Sequence, residues 1–294
     1  MKKLFLGWLV ALCCMNVFAE ISVTDFSGRE VTLAKPAHRI IALAPHIVEN
    51  LYSAGVGDRI VGAVDYCDYP EAAKDIPRVG AISSFSLEAI LALKPDLVVV
   101  WRSGRGGKIM EKLIRMGINV YASDPRSLSD IPKSIRDYGV LTGNQSVAEE
   151  AAKQFEAQYT ELKHQYAEKS QVTVFYQVWN DPIQTLNGKH IISDVITLCG
   201  GKNVFSDEPA LAPKVSVESI LQTDPKAIIA SGMGEERPEW LDMWKKWKQL
   251  QSVQCDNLFY VHPDLIQRHT MRILQGAETI CRSLDIARKR TDCL

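Results

Sequence analysis

The phrase SLEAILALKPDLVVVW, residues 86–101, decides the fold, because nearly the same phrase returns as SVESILQTDPKAIIAS at residues 216–231. Ser86 and Ser216 are each suited to cap a helix, since a serine hydroxyl accepts a hydrogen bond from an unpaired first-turn amide. LEAIL and VESIL carry the helix, and Pro95 and Pro225 end it. DLVVVW and KAIIAS then read as short buried strands. Outward from this phrase the two halves stay in step. Upstream, RIIALA and VTVFYQVW are strands, His46–Ala54 and IISDVITLC are helices, and Gly55 and the GGKNVF turn lead into further strands, the first near Ile60. Downstream, INVYAS and NLFYVH are strands, each followed by another helix.

Strands and helices alternating at these lengths imply a parallel sheet covered on both faces. Two such units in one order imply an α/β protein of two Rossmann-like lobes, each with a mainly parallel central sheet. An antiparallel hairpin, ISVTDFSGREVTL, precedes the first unit. Between the units, Ala148, Ala151, Phe155, Tyr159, Leu162 and Tyr166 recur every three or four residues, the mark of an amphipathic helix. About 24 residues of helix span ~36 Å, enough to cross from one lobe to the other. The expected organisation is an amino-terminal lobe over 20–144, one long backbone helix over 145–169 and a carboxyl-terminal lobe over 170–294.

Residues 1–19 read as a secretory signal. Lys2 and Lys3 precede the apolar run LFLGWLVALCCM, and small residues at Val17 and Ala19 place the cut after Ala19. Asn16 and Glu20 end the run before the ~20 apolar residues a membrane span needs. The mature chain is therefore expected to be soluble and exported, where disulfides form. It keeps Cys67, Cys199, Cys255, Cys281 and Cys293, an odd set, so at least one is free or pairs between molecules. A formal net charge of −1 offers no basic face for nucleic acid.

Parallel α/β sheets bind ligands beyond the carboxyl ends of their strands, here the loops APH (44–46), DYCDYP (65–70), WRSGRGG (101–107), WNDP (179–182) and HPDLIQRH (262–269). Tyr66, Tyr69, Trp101 and Trp179 put aromatic surface on three of them, as a wall for a flat or bulky ligand. Arg102, Arg105, Asp264 and Arg268 add polar anchors. SGRGGK lacks the spacing of a phosphate loop, and no metal-ligand spacing joins His46, His190, His262 and His269. His46, at a helix start, is expected to face the cleft and touch the ligand, with a capping or packed role as the alternative. No catalytic motif is present, so no enzyme, resident cofactor or metal is expected.

DYCDYP, LEAILALKPDLVVVWR, VITLCGGKNVF and VSVESILQTDPKAII, with the two lobes and the bridging helix, resemble the class III periplasmic substrate-binding proteins of ABC importers, and among them the cobalamin-binding branch. The resemblance covers the whole mature chain. It implies a corrin site lined by Tyr66 and Trp101, with Asp264 and Arg268 in the last cleft loop and Trp179 on the second lobe. Two cleft tryptophans of that branch fall on Ile82 and Ala212, for which Phe85 and Trp179 are the nearest substitutes. Cobalamin or a related corrinoid is thus the expected cargo, with a ferric siderophore or haem as the alternative on the same scaffold. The resemblance also implies a Cys199–Cys281 disulfide, a monomer, and docking of Glu88 and Glu218 to arginines on the two membrane subunits of an importer. Read alone, each glutamate is an acid in a first helical turn, favoured there by the helix dipole.

Overall fold

The computed structural model describes residues 20–104, 106–232, 236–290 and 293. The expected signal segment, with its cut after Ala19, and Arg105 lie outside them. β1 (Ile21–Thr24) and β2 (Glu30–Leu33) form the antiparallel hairpin. There follow β3 (Ile40–Ala42), α1 (Pro45–Ser53), β4 (Ile60–Ala63), the small hairpin β5 (Gly80–Ala81) and β6 (Ser84–Phe85), α2 (Leu87–Ala92), β7 (Leu97–Trp101), α3 (Gly106–Arg115), β8 (Val120–Ser123) and α4 (Asp130–Thr142). After α5 (Gln145–Tyr166) come β9 (Val172–Gln177), the hairpin β10 (Trp179–Asn180) and β11 (Ile183–Gln184), α6 (Ile191–Leu198), β12 (Gly201–Asn203), α7 (Val217–Thr223), β13 (Ala227–Ala230), α8 (Gln251–Gln254), β14 (Leu258–Tyr260), α9 (Pro263–Ile266) and α10 (Ile273–Lys289).

The doubled phrase becomes doubled topology. One four-stranded sheet runs β4-β3-β7-β8 and the other β12-β9-β13-β14, so in each the sheet's second strand in chain order lies at one edge and its first beside it. Every pairing within both sheets is parallel. Their central strands are buried on both faces, which is why the sequence shows unbroken apolar runs there. Ser86 Oγ accepts the Ala89 amide and Ser216 Oγ the Ser219 amide, both at 3.2 Å, as the capping argument requires. Gly55 ends α1 in the left-handed region at φ 73°, where Asn144 and Val147 leave no room for a Cβ.

At 22 residues the backbone helix is the longest among the described residues, ahead of α10 at 17, and it ends at Tyr166, so the expected 145–169 stretch is helical over all but its last residues. Its buried Ala148, Ala152, Phe155, Leu162 and Tyr166 face α1 and α4 at one end and α6 and α10 at the other. Ala151 and Tyr159 are half-buried beside that stripe. One apolar core runs from the first sheet through Phe155 into the second, and a smaller core around Phe175, Ile228, Leu241 and Trp244 fills the other face of the second sheet. Cys199, at the end of α6, is bonded to Cys281 of α10, with Cα atoms 4.6 Å apart. Cys255 is bonded to Cys293, a pairing not legible in the sequence, and Cys67 is the odd cysteine, free and buried. Among the described residues no helix is long and apolar enough to cross a membrane.

Candidate functional site

The carboxyl ends of the two sheets face one another across a cleft whose floor is polar and largely buried. Its first component is a ring of histidines under Trp101. His46, at the start of α1, stands edge-on to Trp101 with ring centroids 5.4 Å apart. His269 of the last cleft loop lies 5.4 Å from His46 and 6.2 Å from Trp101, and His190 lies 5.7 Å from His269. His46 and His269 are each 5% exposed. His46 thus takes the packed role and not the expected one on the cleft wall, because Trp101 and His269 cover it. Gly104 lies against the indole of Trp101, where a side chain would collide with the ring. Trp101 is accordingly half-buried, more floor than wall.

Burial holds these imidazoles neutral. It lowers His46 well below the usual histidine range, helped by the neighbouring His269 and Arg268. His269 falls to about 4, where Asp124 opposes burial and Arg126 reinforces it. His190 falls to about 3 through burial, His269 and Arg126. A neutral ring is also what His190 needs for its structural task, since its Nδ1 accepts the Ile192 amide and caps α6. His262 does the same for Asp264 at the start of α9, which aims the last cleft loop.

The second component is an ion-pair network between the lobes. Arg268, 12% exposed, reaches Glu49 at 3.0 Å and Asp68 at 2.6 Å across the cleft, and Asp264 at 2.9 Å on its own lobe. Arg272 meets the same Glu49 through both carboxylate oxygens, at 2.7 and 2.9 Å, and lies 3.8 Å over the ring of Tyr69. Asn50 Nδ2 donates to the His269 carbonyl at 2.9 Å, and the Leu128 amide donates to Asp194 at 2.8 Å. Burial disfavours the Arg268 charge, but hydrogen bonds to Asp68 and Glu49 outweigh it and hold its pKa above the ordinary value. Burial likewise opposes ionisation of Asp68, and the Arg268 hydrogen bond prevails and holds its carboxyl below the usual range. A buried pair of this kind is costly to break, because the partner left behind is a buried uncompensated charge.

Aromatic rims stand above this floor. Tyr66 is 73% exposed and sits at φ 64°, an unfavourable conformation for a non-glycine residue that turns its ring to solvent. Trp179, 43% exposed, rides on the β10–β11 hairpin with its Nε1 donating to the Asp181 carbonyl. Gln177 secures that hairpin from below, donating to the Trp179 carbonyl and accepting from Trp244. Arg102 is exposed and 3.7 Å from the buried Asp124, which Arg126 holds at 3.0 Å. The β5–β6 hairpin is tied beside Tyr66 by the Asp65 amide to the Gly80 carbonyl, but Phe85 itself lines a shallow hollow with Leu87, Lys108 and Ile109. Ile82 is half-buried against the core and Ala212 is exposed.

Sequence reading missed Glu49 and Arg272. Both carried a faint signal: Glu49 is the acid in the apolar helix HIVENLY, three residues after His46, and Arg272 follows Arg268 at a helical interval of four. A separate hollow, lined by Val172, Lys226, Asn257, Arg288 and others, lies at the amino ends of the second sheet. Arg288 there is committed to the carbonyls of Ser170, Cys199 and Gly200, and ligands of parallel sheets bind at the opposite end. Glu88 and Glu218 are exposed on their matched helices, and neither forms an ion pair with a described residue. Its own amide and the Ser216 hydroxyl hold the Glu218 carboxyl below the usual range.

A family model described as periplasmic binding protein matches residues 40–265, from β3 to the last cleft loop. The chain belongs to the periplasmic binding protein family. This periplasmic binding protein is 37% identical over 279 residues to the vitamin B12-binding protein of Vibrio cholerae serotype O1, a match covering 94% of this chain and 100% of that one. It is 34% identical over 251 residues to the vitamin B12-binding protein of Pectobacterium atrosepticum, covering 84% and 88% respectively. The crystal structure of the periplasmic vitamin B12 binding protein of Vibrio cholerae aligns with a TM-score of 0.80 at 36% identity, over 86% of this chain and 99% of that one. A periplasmic heme-binding protein from Roseiflexus, 21% identical with a TM-score of 0.75 over 85% of this chain and 99% of its own, shares the fold.

Proposed function

We propose that this protein captures cobalamin or a related corrinoid in the cleft between its lobes and delivers it to an inner-membrane ABC importer. The observation that carries the reading is the cleft itself. Exposed Tyr66 and Trp179 rise from opposite lobes over a floor whose arginines are already paired, so apolar ring surface recognises the cargo. Similarity to vitamin B12-binding proteins across nearly the whole chain supports the same cargo. In this reading Tyr66, Trp101, Trp179, Phe85, Arg102, Asp264 and Arg268 line or support the site. His46 contributes from below, by holding Trp101.

The carrier acts in the periplasm after removal of its signal near Ala19, as a monomer of two lobes, 20–144 and 170–294, joined by the backbone helix. It performs no chemical step on its cargo and needs no resident cofactor. Glu88 and Glu218 occupy equivalent, exposed first-turn positions, one per lobe, and meet the two permease subunits. Calorimetry of the purified mature chain against cyanocobalamin, haem and a ferric hydroxamate tests the cargo. Tight binding of cyanocobalamin is expected. Its absence, with tight binding of either competitor, would overturn the reading.

A further inference from the structure

We infer that the cleft selects cargo with an uncharged periphery, because its floor arginines are neutralised by the protein's own carboxylates and Glu49 is the residue that sets this selectivity. The inference rests on the corrinoid reading and sharpens it. An arginine in a binding cleft is ordinarily an anchor for an anionic ligand. Here Arg268 Nη1 donates to Glu49 and Asp68, and its Nη2 meets Asp264. Arg272 is held by both oxygens of Glu49, with Tyr69 covering its face. Two guanidinium charges therefore face three carboxylates, Glu49, Asp68 and Asp264, and the network as a whole is acidic.

A ligand carboxylate entering this floor meets the like charges of Asp68 and Asp264 and must give up its hydration there. An amide in the same place gives up far less solvation and can donate its NH2 hydrogens to the carboxylates of Asp68 or Asp264, which a ligand carboxylate cannot do. Glu49 is central, because it is buried and is, among the described residues, the one carboxylate paired with both arginines. It touches no cargo in this account: it is a positioning residue that acts through Arg268 and Arg272.

The test compares cyanocobalamin with its monocarboxylic isomers, in which one peripheral propionamide is hydrolysed to a carboxylate. Calorimetry on the full mature chain should show at least one isomer binding weaker by about tenfold or more, the scale of leaving a desolvated charge unpaired. Glu49→Gln should shrink that ratio, because a positive charge is released into the floor. Asp68→Asn, at a half-exposed position that the fold tolerates more easily, should shrink it in the same direction. The ratio is the readout, so a general loss of affinity in either variant cancels. If all the isomers bind the wild type within about twofold of tightly bound cyanocobalamin, or if neither variant changes the ratio, the inference fails while the corrinoid reading stands. If cyanocobalamin itself does not bind, it is the corrinoid reading that fails.

Discussion

Mild acid should weaken this protein well before its carboxylates titrate. His46 and His269 are almost fully buried and held neutral by that burial, His269 down to about 4. In the unfolded chain a histidine titrates near pH 6.5, so below that pH the unfolded state takes up protons that the folded state refuses, and stability falls as pH falls. At pH 5 each refused proton costs about 2 kcal/mol, or about 4 kcal/mol for the two rings. His190 adds in the same direction, with a smaller share because it is half-buried and solvent screens it. Between pH 7.5 and pH 5 the melting temperature should therefore drop on the order of 10 °C for a chain of this size. Arg268 and Arg126 face these rings and oppose protonation, whereas Asp124 alone favours it at His269. Thermal melts and urea titrations across that range provide the measurement, with His46→Gln expected to remove about half of the pH dependence. A flat stability profile down to pH 5, or an unchanged slope in His46→Gln, would refute the picture of a buried, neutral histidine floor.

Two further outcomes follow from exposed residues. Tyr66→Ala should weaken cyanocobalamin binding by roughly 1–2 kcal/mol while leaving the melting temperature within about a degree, since a ring so exposed contributes little to the core; an unchanged affinity by calorimetry removes Tyr66 from the site. Reversing both Glu88 and Glu218 to Lys should abolish corrinoid uptake in transport assays while the purified double variant binds cargo as the wild type does, and normal uptake would refute the docking role.

The doubled phrase made the fold legible because it combines features that act locally. A capping serine, a proline stop and an apolar strand have the same meaning wherever they occur, and Ser86 and Ser216 form the same 3.2 Å caps. The periodicity of Phe155, Leu162 and Tyr166 specified the backbone helix for the same reason. The cleft was legible in outline only. Strand ends could be named from the strand pattern, which placed Tyr66, Trp101 and Trp179 on its loops, but a loop residue's direction depends on what packs beneath it. His46 is the clearest case: its position at a helix start points toward the cleft, and Trp101 and His269, distant in sequence, cover it.

By itself, the sequence determined two α/β units of matching order, the helix between them and an exposed glutamate on each, because short-range capping, periodicity and hydrophobic burial suffice for those. Only the tertiary structure decided what the cleft arginines do. Arg268 and Asp264 looked like anchors for a ligand, and the fold brings Glu49 and Asp68 of the other lobe to within 3.0 Å of that guanidinium. Charge pairing is set by distance in space and by burial, and neither is written in the local pattern of the chain.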